Sequence, residues 1–248
     1  MSRFFIKVFV PGPFFEPLTY SSDKPIEAGL RVKAPLGSRE IVGISAGEAS
    51  EPQDLSTIKS ILEVLDDVPV IDPSHHALIR FASDYYLAPA GDLLLSSLPA
   101  AIRKGKPFPL AKTEQGQSQP PHYPLTDEQQ HAIDCVNQAS GDFQCFLLQG
   151  VTGSGKTQVF SELIRKTLER GKQVLLLVPE IGLTGQMVIR IQQQLTGTLA
   201  VSHSGLADGA RAKAFVAASQ GTADVLIGTR SALFTPMPNL GLILVDEE

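Results

Sequence analysis

The chain has 248 residues, of which 43% are hydrophobic and 19% are charged, and its formal net charge is −5. This length allows one large domain or two ordinary ones, and the composition is that of a globular protein. The acidic balance argues against a protein that coats nucleic acid by charge alone, although a local DNA-binding face stays open. No apolar run is long enough for a membrane span, and Lys7 interrupts the N-terminal run, so we expect a cytoplasmic protein without membrane partners.

Residues 1–103 are predicted to form a small β-rich domain with trailing helices. Short apolar runs at 4–10, 30–34 and 40–45 are separated by Pro, Gly and Ser, which favours a barrel or a sandwich. Residues 58–65 then show helical spacing. They are therefore predicted to form a helix.

A second helix is predicted to begin at Asp72, because an Asp-Pro-Ser sequence is a typical helix start. Its apolar face is expected to contain Leu78, Ile79, Ala82, Tyr85 and Tyr86. His75 and His76 lie in its first turn, where packed or solvated histidines are more common than ligands.

A linker is predicted over residues 104–124, because Pro, Gln, Gly and Ser dominate there and apolar periodicity is lost. Thr126 and Gln129 have the spacing of a capping box, which indicates that a helix and a second domain, 125–248, begin here. Cys135 and Cys145 have no partners at metal-ligand spacing, so no zinc site is expected.

The most specific motif is a G-x-x-x-x-G-K-[ST] run, preceded by the apolar run Cys145–Leu148 and followed by a helical pattern near 157–170. Such a loop binds phosphate through backbone N–H groups, with its lysine on the β- and γ-phosphates and its last hydroxyl on Mg²⁺. Its residues are Gly150, Val151, Thr152, Gly153, Ser154, Gly155, Lys156 and Thr157.

Strand candidates alternate with helix candidates throughout the second domain, which predicts a parallel sheet covered on both faces. The strands are expected at 145–148, 173–178, 199–202, 225–227 and 242–245, and the further helices near 184–195 and 208–219. The last strand ends in Asp246 and Glu247. Beside a phosphate loop, Asp246 is expected to hold Mg²⁺ through water and Glu247 to activate the attacking water.

Five stretches together resemble the PriA family of replication-restart DNA helicases. They are GVTGSGKT at 150–157, VPEIGLT at 178–184, HSGL at 203–206, IGTRSALF at 227–234 and DEE at 246–248. The resemblance implies an α/β fold, with the RecA-like parallel sheet of a first helicase lobe. It also implies an ATP-dependent helicase that moves 3′ to 5′ on DNA, with ATP and Mg²⁺ as cofactors.

By the same resemblance, Gln129 lies near adenine, and Thr184, Thr229 and Arg230 contact DNA phosphates. The implied partners are DNA forks, D-loops, 3′ ends and single strands, together with primosome proteins and single-stranded-DNA-binding protein. The zinc region of the family has no counterpart in this sequence.

The first domain is similar to the family's 3′-end-binding domain, whose pocket holds the last nucleotide of a DNA strand. The matching positions are Leu18, Thr19, Tyr20, Gly37 and Lys59. Relatives often have Phe-Asp where this chain has Leu18-Thr19, so an aromatic ring and a carboxylate are absent there. An alternative is that these residues are only barrel-core and turn residues.

We interpret the chain as an incomplete helicase that contains the first lobe only. Two other functions stay open: a DNA-structure-binding module with a vestigial nucleotide site, and a small-molecule phosphotransferase that uses the same loop. The phosphotransferase is disfavoured, because strand ends such as Gly228-Thr229-Arg230 stand where a substrate pocket is needed.

Overall fold

A computed structural model shows two five-stranded sheets, each with its own helices. The structure describes residues 3–115, 124–139, 143–151, 153–179 and 197–246, together with 189, 192, 193 and 195. In these ranges no helix is long and apolar enough to cross a bilayer.

The first sheet lies in the first domain, with strand order β2-β1-β4-β3-β5, and its named strands all pair antiparallel. Its strands are β1 (Phe4–Phe9), β2 (Leu18–Ser22), β3 (Arg31–Leu36), β4 (Arg39–Glu48) and β5 (Glu63–Val64). Buried side chains from β1, β2 and β3 fill one core. The β-rich prediction is confirmed, although β2 and β5 were not among the predicted strands.

Residues 58–65 contain no helix, so that prediction is wrong. Ser21 N–H donates to Lys59 O, and Ile61 N–H donates to Ser21 O, both at 2.9 Å. The other end of the segment pairs with β3, where Val64 lies opposite Val32. The segment therefore joins β2 to β3 and closes the sheet into a small barrel, and its backbone bonds override the helical spacing of its side chains.

Three helices follow the barrel: α1 (Pro73–Tyr86), α2 (Ala90–Ser97) and α3 (Ala100–Arg103). The predicted start of α1 is confirmed, because the Asp72 carboxylate accepts a hydrogen bond from His75 N–H at 2.8 Å.

The predicted apolar face of α1 is wrong at its end, since Tyr85 and Tyr86 are 69% and 71% exposed. Residues 84–87 are all exposed, so the last turn of α1 extends past the core. The Tyr85 ring instead stacks on Phe81, with ring centroids 5.7 Å apart.

The second sheet has the order β10-β7-β9-β8-β6. Its strands are β6 (Glu114–Gln115), β7 (Gln173–Leu177), β8 (Thr198–Ser202), β9 (Val225–Gly228) and β10 (Leu240–Val245). The four longer strands are parallel, and β6 is antiparallel to β8. This arrangement confirms the predicted parallel sheet and the strands from 173 onward.

Helices cover both faces of the second sheet, as predicted. They are α4 (Asp127–Gln138), α5 (Lys156–Glu169) and α6 (Asp208–Ser219), and a 3₁₀ turn spans Arg230–Phe234. Val174 and Leu176 lie in the core beneath α4 and α5, whereas Leu175 lies in the core beneath α6. The alternation along β7 thus divides the second domain into two apolar layers.

The strand predicted at 145–148 does not form: residues 143–149 pair with no strand of the described chain. Phe146 and Leu147 are 46% and 84% exposed. Strand β6 lies at one edge of the sheet and β10 at the other, and no described strand pairs with the outer side of β10, where Ile243 is 43% exposed. An apolar run becomes a strand only beside a neighbour in register, and the prediction considered the run alone.

The beginning of the predicted linker is tied to the first domain by Arg31, which is 1% exposed. Its guanidinium pairs with the Asp66 carboxylate at 2.6 Å and donates to Ile102 O and Lys106 O at 2.7 and 2.9 Å. It also lies 4.5 Å from the centroid of the Phe108 ring. Farther along, β6 adds the linker to the second sheet, so the described part of the linker contacts both domains.

Candidate nucleotide and DNA sites

The phosphate loop leads directly into α5, whose N-cap is Gly155 with a left-handed backbone (φ 84°). No side chain caps this helix end, and its first turn contains no acidic residue. The unpaired N–H groups and the positive end of the helix dipole are therefore available to an anion. This is the arrangement that a phosphate group needs.

Lys156 folds back over the loop, where its ammonium donates to Gly150 O at 2.9 Å. Among the described residues it forms no ion pair. Thr157, one residue later, is exposed. Both groups can meet a nucleotide, since the partner described for the Lys156 ammonium is a neutral carbonyl, which a phosphate can replace.

Gln129 joins α4 to this loop. The predicted capping box is present: Thr126 N–H donates to Gln129 Oε1 at 3.0 Å, and Gln129 N–H donates to Thr126 Oγ1 at 3.3 Å. The amide nitrogen of Gln129 also donates to Ser154 O at 3.0 Å. A Cβ on Gly155 would collide with that nitrogen, so glycine is required for this close approach.

Asp246 lies at the carboxyl edge of the sheet, where its backbone N–H donates to Leu177 O at 2.9 Å. Since α5 runs back along the sheet before β7 begins, the start of α5 points to this same edge. The fold therefore places Lys156 and Asp246 toward one end of the second domain, as a nucleotide site of this class needs.

The strand end at 228–231 presents one cation. Thr229 is only 6% exposed, and its N–H donates to Ser202 O at 3.3 Å. Arg230, the first residue of the 3₁₀ turn, is exposed. Of the two residues predicted to contact phosphate here, Arg230 is the more accessible.

The candidate DNA-end site in the first domain gathers three separate stretches. The Lys59 ammonium donates to Gly37 O at 2.9 Å, and the Tyr20 hydroxyl donates to Pro35 O at 3.2 Å. Segment 59–61 is hydrogen-bonded to β2, which carries Tyr20. The barrel closure thus brings Lys59, Gly37 and Tyr20 together.

Leu18 and Thr19 differ in their surroundings. Leu18 packs with Tyr20 against the barrel core, whereas Thr19 lies opposite Lys7 on the other face of the sheet. Tyr20 is 3% exposed, and burial raises the pKa of its phenol. Lys59 and Gly37 are exposed, so they form the accessible part of this candidate site.

Three of the predicted site residues, Thr152, Thr184 and Glu247, lie outside the described residues. In the described part of the chain, no three His, Cys, Asp or Glu side chains cluster as a metal ion requires.

Sequence reasoning missed one accessible cation, Arg39, which is exposed and pairs with Leu36 across the turn that contains Gly37. In the sequence, the signal for this residue was its position two residues after a glycine in a turn. Arg31 had no local signal, because its buried ion pair involves Asp66, 35 residues away.

Two family models match separate parts of the chain. Residues 7–99 match the family described as the 3′DNA-binding domain (3′BD) of PriA, and residues 126–248 match the DEAD/DEAH box helicase family.

Three curated relatives are each called replication restart protein PriA. The Treponema pallidum protein is 36% identical over 89% of this chain and 34% of its own length. The Haemophilus influenzae protein is 29% identical over 98% of this chain and 44% of its own length. The Synechocystis protein is 47% identical over 50% of this chain and 15% of its own length. The chain thus spans less than half the length of these relatives.

Proposed function

Since the chain belongs to the PriA family of replication restart proteins, we propose that it provides the DNA-end-binding and first ATP-binding parts of a 3′ to 5′ DNA helicase. The observation that carries this proposal is the phosphate loop, held by Gln129 at the uncapped start of α5 and on the same sheet edge as Asp246. We place the domain boundaries at 1–103, 104–124 and 125–248.

In the nucleotide site, we assign phosphate binding to the loop N–H groups and to Lys156. Thr157 and Asp246 would hold Mg²⁺, which neutralises phosphate charge when it is bound. The open start of α5 and the Lys156 ammonium, whose described partner is the neutral Gly150 carbonyl, fit an anionic ligand. Glu247 follows Asp246 in sequence and is our candidate for the base that activates water.

In the DNA sites, Gly37 and Lys59 would receive a 3′ end, and Arg230 would contact the phosphates of a single strand. All three residues are exposed, and each DNA contact of this kind gains affinity by releasing counterions. By resemblance, the substrates are forks and D-loops, and the protein partners are primosome proteins and single-stranded-DNA-binding protein. We place this activity in the cytoplasm.

One observation favours the alternative, a DNA-structure-binding module with a vestigial nucleotide site. Residues 143–149, which lead into the phosphate loop, pair with none of the described strands, so in the described structure α5 and Gln129 hold the loop. A loop held in this way binds nucleotide weakly if ordering it consumes binding free energy.

Titration with a fluorescent ATP analogue and Mg²⁺ tests the nucleotide assignment. We expect measurable binding by the wild-type chain and none by Lys156→Ala, while Lys172→Ala, an exposed lysine before β7, binds as wild type does. Equal affinities for wild type and Lys156→Ala would show that the phosphate loop does not bind the nucleotide. Binding of forked DNA without any nucleotide binding would support the alternative function.

A second titration tests the DNA assignment. The chain should bind a fork with a free 3′ end more tightly than a blunt duplex, and the difference should shrink in Lys59→Ala. Equal affinity for the fork and the blunt duplex would contradict a specialised first domain.

A further inference from the structure

Helix α6 is buried on two opposite sides. Ala214, Ala217 and Ala218 pack on the second sheet together with Leu175 and Leu226. A surface helix of a globular domain buries one stripe only, and a helix that is apolar on both sides needs a second neighbour. The outer side of α6 must therefore pack against a second part of the molecule.

The first domain supplies that contact. Phe215 and Val216 of α6 are 3% and 2% exposed, and they share one apolar cluster with Leu98 and Ile102 of the first domain. The helices α3 and α6 lie against each other. The two domains thus have a common core at this joint, which we call the α6 joint.

The α6 joint also reaches the 3₁₀ turn that begins at Arg230. Ala232, in the middle of the turn, is 1% exposed and packs beneath α6, where a Cβ on Gly228 would collide with it. Phe234, at the end of the turn, packs against the cluster that contains Leu98 and Phe215. No side chain caps the turn at its start. The hydrogen bond from Thr229 N–H to Ser202 O fixes the residue before the turn, and the packing of Ala232 and Phe234 fixes the turn itself.

We propose that Phe234 is a positioning residue through which the first domain sets the place of Arg230. This inference rests on the proposed contact between Arg230 and a DNA phosphate. Binding costs less conformational entropy when the backbone that carries Arg230 is already fixed, so its contact is then more favourable. The first domain would then act on single-stranded DNA at a distance from its own pocket.

The salt dependence of DNA binding measures this effect directly. For a single strand, each phosphate contact contributes about 0.7 to the slope of log affinity against log salt concentration. We expect Arg230→Ala to lower that slope by about 0.7, and Phe234→Ala to lower it by nearly the same amount. The double variant should lose no more than Arg230→Ala alone, because both changes remove one contact.

Three further variants of the 248-residue chain complete the experiment. Leu98→Ala changes the joint from the first domain and should lower the slope as Phe234→Ala does, whereas Phe234→Leu should restore it. Leu168→Ala is the matched control, since Leu168 is half-buried against the cluster on the other face of the second sheet. Affinity for the fluorescent ATP analogue should stay within twofold in all of them, which separates positioning from unfolding.

The outcomes are distinct. If Arg230→Ala leaves the slope unchanged, the proposed DNA contact itself is wrong. If Arg230→Ala lowers the slope but Phe234→Ala and Leu98→Ala do not, the contact stands and the positioning role is overturned. A slope lowered equally by Leu168→Ala would also overturn it, because any loss of core packing would then have the same effect.

Discussion

The barrel of the first domain and the sheet of the second domain both have five strands, but they end differently. In the barrel, segment 59–65 bonds to β2 on one side and to β3 on the other, so the ring closes. In the second sheet, no described strand pairs with the outer edge of β10, and residues 143–149 next to the phosphate loop pair with no described strand. The candidate DNA-end site therefore lies on a closed barrel. The nucleotide site lies on a sheet in which one edge has no described partner strand.

This difference predicts how the two sites respond to change. In the barrel, Lys59 and Tyr20 are held by hydrogen bonds to the backbone carbonyls of Gly37 and Pro35. In the second domain, the loop depends on glycine backbone geometry and on Gln129. Substitutions in the barrel should therefore affect stability first, and substitutions around the loop should affect ligand binding first.

The largest expected effect on stability comes from removing the buried ion pair inside the barrel. Arg31→Ala leaves the Asp66 carboxylate buried without its partner, which should cost about 3 to 5 kcal/mol in the free energy of unfolding. Urea denaturation followed by circular dichroism measures it, since the chain has no tryptophan. The control is Lys33→Ala, whose ion pair with Glu63 is exposed and should contribute less than about 1 kcal/mol. Equal losses would show that burial of the Arg31 pair contributes nothing.

A somewhat smaller effect concerns the pH dependence of the helices that cover the barrel. Burial lowers the pKa of His75 from 6.5 to about 4, against an opposing influence of Asp72. The unfolded chain therefore takes up a proton at higher pH than the folded chain does. The stabilisation is complete above pH 6.5 and is lost as the pH falls toward 4, by roughly 3 kcal/mol in total.

Urea midpoints between pH 7 and pH 4 should thus fall more steeply for wild type than for His75→Gln. His76→Gln is the matched control, because burial also lowers the pKa of His76 but His76 is less buried than His75. Identical pH profiles for wild type and His75→Gln would contradict a neutral, buried imidazole.

The third prediction compares two glycines of the phosphate loop. Gly153 and Gly155 have φ angles of 82° and 84°, so alanine at either should cost about 1 to 2 kcal/mol. They differ in space: nothing lies within 4 Å of a Cβ on Gly153, whereas a Cβ on Gly155 meets the Gln129 amide. Gly155→Ala should therefore weaken binding of the ATP analogue well beyond Gly153→Ala. Equal affinities would mean that Gln129 does not support the loop.

The smallest effect on stability is expected at the open edge. Ile243→Lys changes a side chain that is 43% exposed, so the free energy of unfolding should change by no more than about 0.5 kcal/mol. Light scattering should nevertheless show less self-association, because lysine on an edge strand opposes strand pairing. Leu244→Ala, at a residue that is 7% exposed, should instead cost about 2 to 5 kcal/mol. Unchanged scattering by Ile243→Lys would mean that the edge of β10 does not drive association.

Local signals predicted most of the second domain. The capping box, the helix 208–219 and the strands from 173 onward are read from neighbouring residues, and the structure confirms them. The phosphate loop was also found locally, since its motif is continuous. The strand predicted at 145–148, before the loop, does not form, because pairing depends on a partner strand that no local pattern specifies.

Long-range contacts explain what the sequence did not predict in the first domain. Lys59 reaches Gly37 only because segment 59–65 closes the barrel, and the spacing of its apolar residues indicated a helix instead. The pairing of Arg31 with Asp66 is likewise a long-range contact, since the two residues are 35 positions apart in the sequence. The residues of the candidate DNA-end site came from the family resemblance, while their mutual placement came from the fold.

The linker contacts the first domain through Arg31 and the second domain through β6, and these two ties determine where residues can be inserted. The Arg31 contacts end at Phe108, and β6 ends at Gln115, so both ties precede residue 116. Extra residues inserted between 115 and 124 would leave both ties and the α6 joint in place. Because each doubling of a flexible loop costs only about 0.6 kcal/mol, even a folded module could be accommodated there. This point of the chain can therefore accept a new domain while the arrangement of the existing two is retained.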